Sequence, residues 1–442
     1  MTGTMKTYHP VSTYRLQFNG DFTLKDSERI LGYLHKLGIR TIYASPLFRA
    51  VRGSTHGYDV TDPLSLNPEI GTEREFEKLT EKVRRMRMGW LQDIVPNHMA
   101  YSTENPWIRD VLVHGKESEY HKVFDIVSEH PDSEMREKLM LPFFGKSLEG
   151  LIRDGELKLK FGKQGFDLVY YEQEYPVSRR AYSHILEACG IADRLSGPDG
   201  LEEISGEFAL DPEFARHMEQ CTETINRDPD RMGSLTDRLC YLPAHWKETE
   251  KRINYRRFFT INGLICVNSH LAEVFDRTHG LIRSWVEKGV VDGLRIDHVD
   301  GLYDPSGYLD QLREMCGGQT YIVAEKILEK EETIPGSWPV QGTTGYDFLA
   351  SVNQLLTNIS NGSFFYDYYG EWTGKKEDPE QVFLEKKSFI LLNRLGGELE
   401  LLTHQCLSAV APAESAGTPP HTKVEHEEMR KAVAAFMIHF PV

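Results

Sequence analysis

One strand-like segment of the sequence combines a guanidinium with a carboxylate. In GLRIDHVDG, residues 293–301, apolar residues alternate with Arg295 and Asp297. Because alternate residues of a strand share a face, these two side chains are expected on the same side. A guanidinium favours the ionised form of a neighbouring carboxyl, and a nucleophilic carboxylate must be ionised. The pattern suits a nucleophile at Asp297, and the alternative is a buried structural Arg–Asp pair.

A second segment, YIVAEKIL at residues 321–328, carries a carboxyl at the end of an apolar run. Partial desolvation is expected to raise the pKa of Glu325, which suits a general acid. Glu325 follows Asp297 by 28 residues, about one strand–helix repeat, so both carboxyls are expected at one rim of adjacent strands. A retaining glycosidase requires two such carboxyls about 5–5.5 Å apart. The alternative is a structural contact of Glu325 with Lys326 or Arg295.

Two further segments place polar and aromatic side chains where strands end. In DIVPNH, residues 93–98, His98 is predicted to contact substrate hydroxyls, and the alternative is a polar strand exit. In GSTHGYDVTDP, residues 53–63, a glycine-rich loop presents Tyr58 and Asp59. An aromatic face flanked by hydrogen-bond partners suits a sugar, and the alternative is an ordinary loop.

These segments lie in an alternation of strand and helix patterns. Strands are predicted at residues 13–18, 39–45, 89–95, 291–299 and 321–327. Helices are predicted at residues 23–37, 72–87, 271–285 and 308–315, with a last one at 423–440 after a mobile connection at 408–420. The alternation favours parallel strands joined by right-handed crossovers.

The alternation stops between about residues 100 and 250, where the sequence is irregular, charged and aromatic. We predict an inserted subdomain there, because the stretch is too long for a loop. The repeated pattern predicts an α/β fold of the (β/α)8 TIM-barrel type, incomplete in this chain, with its chemistry at the carboxyl ends of strands. A doubly wound sheet is the competitor, but its usual glycine-rich turn is missing after the first strand. The predicted units are residues 1–99 and 251–350 for the barrel, 100–250 for the insertion and 351–442 for an incomplete helical segment.

Composition restricts the class of partner. The formal net charge of the 442 residues is −16, which disfavours binding to nucleic acid. The sequence has neither an apolar run of the roughly 18–20 residues that cross a membrane nor the apolar core of a signal peptide, so we expect a cytoplasmic protein without a membrane partner. The six cysteines are scattered without a CxxC pair, which favours buried thiols over a disulfide or zinc framework.

No cofactor or metal is expected from the motifs. Signatures for a nucleotide, a flavin or pyridoxal phosphate do not occur in the sequence. Asn97 and the carboxylates near it are candidates for calcium, but the oxygen-rich ligand set that calcium needs is not evident. No sequence feature indicates the oligomeric state.

Taken together and in this order, the four segments with candidate catalytic and sugar-binding residues resemble the conserved regions of glycoside hydrolase family 13, the α-amylase superfamily. Further segments of the sequence carry the resemblance over residues 10–350: STYRLQF (12–18), SPLFRAVRGSTHGYDVTDP (45–63), DIVPNHMA (93–100), INYRRFF (253–259), GLRIDHVDGL (293–302), IVAEKIL (322–328) and WPVQGTTGYDF (338–348). Above all INYRRFF and GTTGYDF are similar to the family members that convert the reducing-end α-1,4 link of a maltooligosaccharide into an α,α-1,1 link. The resemblance implies this intramolecular transglucosylation, with an α-1,4-glucan as substrate.

The resemblance also implies a role for each matched residue. For catalysis it implies a nucleophile, a general acid/base and a residue that orients the nucleophile: Asp297, Glu325 and Arg295. For the reacting sugar it implies one stacking residue and two that hold hydroxyls: Tyr58, Asp59 and His98. For the reducing-end sugars it implies His298, Lys326 and Tyr346.

One feature of the family is missing from the sequence. Its members carry a third catalytic aspartate in an HDTKR-like segment late in the barrel, and these 442 residues contain no such segment. We therefore expect a fragment of a longer protein or a truncated product, with an open apolar edge. The alternatives to the transglucosylase are an α-amylase-type hydrolase or other transglycosylase, and an inactive or glucan-binding fragment.

Overall fold

A computed structural model describes residues 8–162, 165–191, 211–329, 331–410 and 424–440. The strands of the described ranges are β1 Thr13–Leu16, β2 Thr41–Ala44, β3 Phe48–Ala50, β4 Val60–Leu66, β5 Gly89–Ile94, β6 His98–Ala100, β7 Leu139–Phe144, β8 Leu157–Gly162, β9 Gly165–Tyr170, β10 Gln173–Pro176, β11 Tyr241–His245, β12 Arg257–Phe258, β13 Ile261–Cys266, β14 Gly293–Ile296, β15 Tyr321–Ala324 and β16 Gly342–Thr343. The helices are α1 Leu24–Leu37, α2 Glu73–Arg85, α3 Pro106–His114, α4 Leu148–Arg153, α5 Tyr182–Ala188, α6 Pro212–Asn226, α7 Pro229–Thr236, α8 Ala272–Thr278, α9 Gly280–Glu287, α10 Pro305–Cys316, α11 Tyr346–Leu356, α12 Gly362–Thr373, α13 Pro379–Asn393, α14 Gly396–Val410 and α15 His426–His439.

The chain divides into two compact units that alternate along the sequence. The first lies within residues 1–100 and 266–383, and the second within residues 101–265 and 384–441. The chain therefore leaves the first unit at the end of β6 and returns to it at the end of β13, before β14. The segments that carry Tyr58, His98, Asp297 and Glu325 all belong to the first unit.

Six parallel strands form the sheet of the first unit, in the spatial order β1, β2, β5, β14, β15, β16. Every residue of β5 is buried, which is typical of a central strand in a parallel sheet. Arg295 of β14 pairs in register with Asp93 of β5 on one side and Val323 of β15 on the other. The prediction of an α/β fold of the (β/α)8 type, incomplete in this chain, is confirmed by this open row of parallel strands.

Helix α2 shows how the sequence fixes a crossover against the sheet. The Thr72 hydroxyl accepts from the Glu75 backbone N–H, and the Glu75 carboxylate accepts from the Thr72 backbone N–H at 2.9 Å, which caps the first turn. Phe76, fully buried, packs edge-on against Trp90 and Trp285 at ring-centroid distances of 5.2 and 4.9 Å. Burial of such a side chain contributes about 1.5–3 kcal/mol to the free energy of unfolding.

The single helix predicted over residues 271–285 is two helices in the structure, α8 and α9, which meet at His279. His279 has a φ of −103° and a ψ of 8°, outside helical geometry. Its buried ring lies 2.9 Å from the Phe275 carbonyl oxygen through Nδ1 and 2.9 Å from the Tyr308 hydroxyl through Nε2. The break accompanies a contact with α10, which helical periodicity does not reveal.

The second unit contains two small sheets and a helical cluster. Strands β10, β9 and β8 form an antiparallel sheet, and β11 pairs with β7 in parallel. A small core of Leu391, Leu399 and Ala434 packs α13, α14 and α15 together. Helix α15 confirms the helix predicted near the end of the chain. Of the connection predicted at residues 408–420, the first three residues belong to α14 and the rest lies outside the described residues.

The cysteine prediction is wrong for one pair. Cys189 and Cys221 form a disulfide in the second unit, whereas Cys240, Cys266 and Cys316 are buried free thiols. Cys189 caps the end of α5 and Cys221 lies in α6, so the pairing depends on how two helices meet and not on a local spacing. None of the helices in the described ranges combines the length and the apolar content that a bilayer crossing needs.

Helices α11 and α12 of the first unit expose large apolar side chains. Helix α11 has no buried residue, and Leu355, Leu356 and Trp372 are at least 80% exposed. Exposed apolar surface of this kind is a site of association.

We expect the 442-residue chain to self-associate in sedimentation velocity experiments, and a Leu355→Glu, Trp372→Glu double variant to associate less. The control Tyr33→Glu changes an exposed aromatic residue on α1, and a monodisperse parent chain would contradict the expectation.

Candidate active site

A cavity of about 510 Å³ lies at the carboxyl ends of the parallel strands. Its walls combine charged, aromatic and small side chains from five strand ends, the loop before β4 and the start of α11: Arg15, Tyr43, Tyr58, Arg295, Asp297, Glu325, Thr344, Gly345, Tyr346 and Leu349. This position is where barrels of parallel strands place their chemistry. Asp297 directly follows β14 and Glu325 directly follows β15, as the spacing of the two segments predicts.

The guanidinium of Arg295 joins three carboxylates. Its Nη1 lies 2.8 Å from Asp93 Oδ1 and 2.5 Å from Asp297 Oδ1, and its Nη2 lies 2.9 Å from Glu325 Oε1. The side chains of Arg295 and Asp297 are less than 10% exposed. The contact of Arg295 with Glu325 that we named as the structural alternative is therefore present, and it occurs in the wall of the cavity.

Asp93 is fully buried beneath the cavity and is held by four donors. Its Oδ1 accepts from Arg295, and its Oδ2 accepts from the Tyr58 hydroxyl at 2.6 Å, the Tyr43 hydroxyl at 3.2 Å and Arg15 at 3.0 Å. Burial raises the pKa of both tyrosines, so their hydroxyls remain donors. Sequence reasoning missed Arg15, Tyr43 and Asp93 as parts of this site. The available signal was their shared position, because each is the next-to-last residue of a strand that is predicted to be parallel.

The charges of this cluster do not balance. Three carboxylates meet two guanidinium groups, so the net charge is −1 when all five are ionised. Burial raises the pKa of Asp297 well above its usual range, the charges of Asp93 and Glu325 raise it further, and Arg295 opposes both. Arg295 lowers the pKa of Asp297 in the expected direction, but burial and two like charges outweigh this one shared cation.

Both carboxylate oxygens of Glu325 have a polar partner, one through an ion pair and one through a hydrogen bond. Oε1 faces Arg295, and Oε2 accepts from the His298 backbone N–H at 2.8 Å. His298 has a φ of 48°, and this left-handed turn directs its N–H to Glu325. His298 thus contacts the acid/base candidate through its backbone, whereas the prediction concerned its side chain.

The predicted substrate-binding residues fall into two groups. Tyr58 and Tyr346 line the cavity. Asp59, His98 and Lys326 do not line it. Asp59 accepts from the Ser54 hydroxyl at 2.5 Å, and Lys326 pairs with Asp300 and Glu332.

His98 is buried next to the Tyr58 backbone. Burial lowers its pKa to about 3, so the ring is neutral at physiological pH. His98 therefore lies behind Tyr58, which itself lines the cavity.

Two buried polar atoms of the cavity wall, Thr344 Oγ1 and Arg295 Nε, have no hydrogen-bond partner among the described residues. The Thr344 hydroxyl is buried and makes no hydrogen bond to any described residue. A buried polar group without a partner is costly, and this one lies at the cavity. Thr344 therefore offers a hydrogen bond to a bound molecule, and sequence reasoning did not single it out.

Comparison with known proteins agrees with this geometry. The family model "Alpha amylase, catalytic domain" matches residues 23–148. A putative maltooligosyl trehalose synthase of Mycobacterium tuberculosis is 33% identical over 438 residues, which are 97% of this chain and 48% of that protein. The chain is related to the maltooligosyltrehalose synthases.

Solved structures support the same relationship. The DSM5389 glycosyltrehalose synthase superposes with a TM-score of 0.77 at 31% identity, over 97% of this chain and 50% of that one. The maltooligosyltrehalose synthase of Arthrobacter ramosus gives a TM-score of 0.73 at 32% identity, over 90% of this chain and 45% of that one. The resemblance to the α-amylase superfamily is thus confirmed. The chain spans about half the length of the curated relatives it matches.

Proposed function

We propose that the protein carrying this chain is a maltooligosyltrehalose synthase, which converts the reducing-end α-1,4 link of a maltooligosaccharide into an α,α-1,1 link. The observation that carries the proposal is the pair Asp297 and Glu325 on one guanidinium, in a cavity of a chain related to such synthases. Because the chain spans about half of those relatives, the proposal concerns the complete gene product.

The first step breaks the terminal α-1,4 link. Glu325 protonates the glycosidic oxygen while Asp297 attacks the anomeric carbon, which yields a glycosyl-enzyme and a free glucose. The transition state resembles an oxocarbenium cation. As Glu325 gives up its proton, the net charge of the cluster falls from 0 to −1, and this buried negative charge stabilises the developing positive charge.

The second step forms the new link. The retained glucose turns, and its own anomeric hydroxyl attacks the glycosyl-enzyme while Glu325 takes the proton. Two inversions retain the α configuration. Water must be excluded during the turn, because it competes with glucose for the intermediate.

Substrate binding is divided among the wall residues. Tyr58 and Tyr346 provide aromatic faces for sugars, and Thr344 provides a hydroxyl. Asp59 and His98 act through the loop that carries Tyr58, and Lys326 acts through the segment that follows Glu325. We further propose that the protein is located in the cytoplasm and binds a maltooligosaccharide. We propose that it binds neither nucleic acid nor a membrane.

Product analysis on maltopentaose tests the proposal. The complete gene product is expected to convert maltopentaose into a non-reducing product of the same mass, so that reducing ends disappear without release of glucose. An increase in reducing ends would instead show an α-amylase-type hydrolase. Binding of maltopentaose without any product would show a glucan-binding protein.

The raised pKa of Asp297 predicts an unusual pH profile. Asp297 must be ionised to attack, so kcat/KM falls as the pH drops through the raised pKa, above the value of about 4 of an ordinary aspartate. Asp93→Asn removes one like charge and frees Arg295 for Asp297, so the acidic limb should move to lower pH even if the maximal rate falls. Asp292→Asn, on the same unit near the other end of β14, should leave the limb in place. An unmoved limb in Asp93→Asn would contradict this electrostatic account.

A further inference from the structure

A cluster of two histidines and one carboxylate lies in the second unit. Glu400 and His404 belong to α14, and His426 begins α15. Glu400 Oε1 lies 3.2 Å from His404 Nε2 and 2.7 Å from His426 Nε2. The three ligand atoms all lie within 4.8 Å of one another. None of these residues belongs to the cavity that contains Asp297.

Helix geometry and packing hold the three side chains together. Glu400 and His404 are four residues apart, so they share one face of α14. The core of Leu391, Leu399 and Ala434 packs α14 against α15, which brings His426 to that face. Arg430 Nε lies 3.4 Å from Glu400 Oε2, so Oε1 remains directed at both histidines.

We propose that Glu400, His404 and His426 bind a divalent transition metal of the zinc class. Zinc bonds to imidazole nitrogen and carboxylate oxygen are about 2.0–2.2 Å long, which in a tetrahedron separates neighbouring ligand atoms by about 3.3 Å. The separations of 2.7 and 3.2 Å need only small side-chain rotations to reach that geometry. Two imidazoles favour zinc, copper, iron or nickel over calcium and magnesium, which prefer oxygen alone.

A tetrahedral metal at this site would have one position without a protein ligand. Three protein ligands leave one corner of a tetrahedron for water. His404 also lines a cavity of about 750 Å³, together with His130, Glu129 and Gln405. The metal would therefore link α14 to α15 and present an exchangeable position to this cavity. These ligands are neither paired cysteines nor an oxygen-rich loop and are separated along the chain, so no metal was predicted from the sequence.

Zinc titration tests the site directly. The untagged chain, stripped with EDTA, is titrated with zinc sulfate against a chromophoric chelator. We expect one high-affinity zinc per chain, with a Kd of about 1 µM or tighter. We expect zinc binding to weaken by about 100-fold or more in each of three variants: Glu400→Gln, His404→Gln and His426→Gln. Loss of a residue that only hydrogen-bonds to a metal ligand typically costs about 10–100-fold. His439→Gln, an exposed histidine of the same helix α15, is the matched control and should bind as the parent does.

Thermal unfolding separates a metal site from a simple ion pair. Zinc should raise the Tm of the parent and of His439→Gln relative to EDTA, and should not raise the Tm of Glu400→Gln or His404→Gln. Circular dichroism establishes that each variant is folded. If a histidine variant does not fold, Glu400→Gln still tests the site, because glutamine has nearly the shape of glutamate. Parent binding weaker than about 100 µM would overturn the proposal. If each variant has the same Tm deficit relative to the parent in zinc as in EDTA, the proposal is overturned in favour of a histidine–carboxylate ion pair.

Discussion

Asp297→Asn is expected to lower kcat/KM for maltopentaose by about 10³-fold or more in the complete gene product, which corresponds to ~4 kcal/mol of transition-state stabilisation. The amide has nearly the shape of the carboxylate and its oxygen still accepts from Arg295, so the wall of the cavity is preserved. The amide cannot form the glycosyl-enzyme, because it carries no charge with which to attack. Near-parental turnover would disprove the assignment of Asp297 as nucleophile.

The stability of the same variant separates a catalytic carboxylate from a structural one. The pKa of Asp297 is higher in the folded protein than in the unfolded chain, so ionised Asp297 costs stability and the cost grows as the pH rises through the folded pKa. Asn removes that cost. The Tm of Asp297→Asn at pH 8 should therefore equal or exceed that of the parent, whereas loss of a stabilising Arg–Asp pair would lower it.

The matched control for this variant is Asp292→Asn. Asp292 directly precedes β14, its carboxylate accepts from the Trp90 backbone N–H at 2.8 Å, and burial also raises its pKa. The amide oxygen can keep that hydrogen bond. Asp292→Asn should retain parental kcat/KM, so a loss of activity in Asp297→Asn is not a general effect of neutralising a buried aspartate in this unit.

Most of the parallel sheet could be predicted from the sequence, since each strand and crossover helix has its own periodic signal. Helix α1 buries Leu31 and Leu34 of its apolar face but exposes Leu37, and helix α2 buries Phe76, Leu79 and Val83. The break at His279 and the disulfide between Cys189 and Cys221 could not be predicted, because both depend on a second helix that is distant along the chain.

The candidate site was predictable only where its residues lie on adjacent strand ends. Asp297 and Glu325 are one repeat apart, and the structure joins them through Arg295. Arg15 and Asp93 are 78 residues apart and meet only because β1, β2 and β5 are neighbours. The pKa of Asp297 depends on burial and on the distant carboxylate of Asp93 as well as on Arg295, so the local sequence indicated only the contribution of Arg295.

Glu325→Gln should separate the two proton transfers from the attack of Asp297. On maltopentaose the variant has no acid for the leaving glucose, and we expect kcat to fall by about 10²–10⁴-fold. The amide keeps the length of the side chain and can still accept from the His298 backbone N–H, so the protein should fold. Glu332→Gln neutralises a nearby carboxylate that pairs with Lys326 outside the cavity wall and should retain parental kcat.

A maltooligosyl fluoride identifies which step Glu325 serves. Fluoride leaves without protonation, so Glu325→Gln should still release it at close to the parental rate in the first turnover. The second step then lacks its base, and one equivalent of glycosyl-enzyme should accumulate as a mass increase on the intact protein. Azide attacks without losing a proton, so it should release the intermediate and restore turnover. If the fluoride and maltopentaose lose rate equally, and azide restores nothing, Glu325 does not transfer the proton and its contacts with Arg295 and His298 are its structural role.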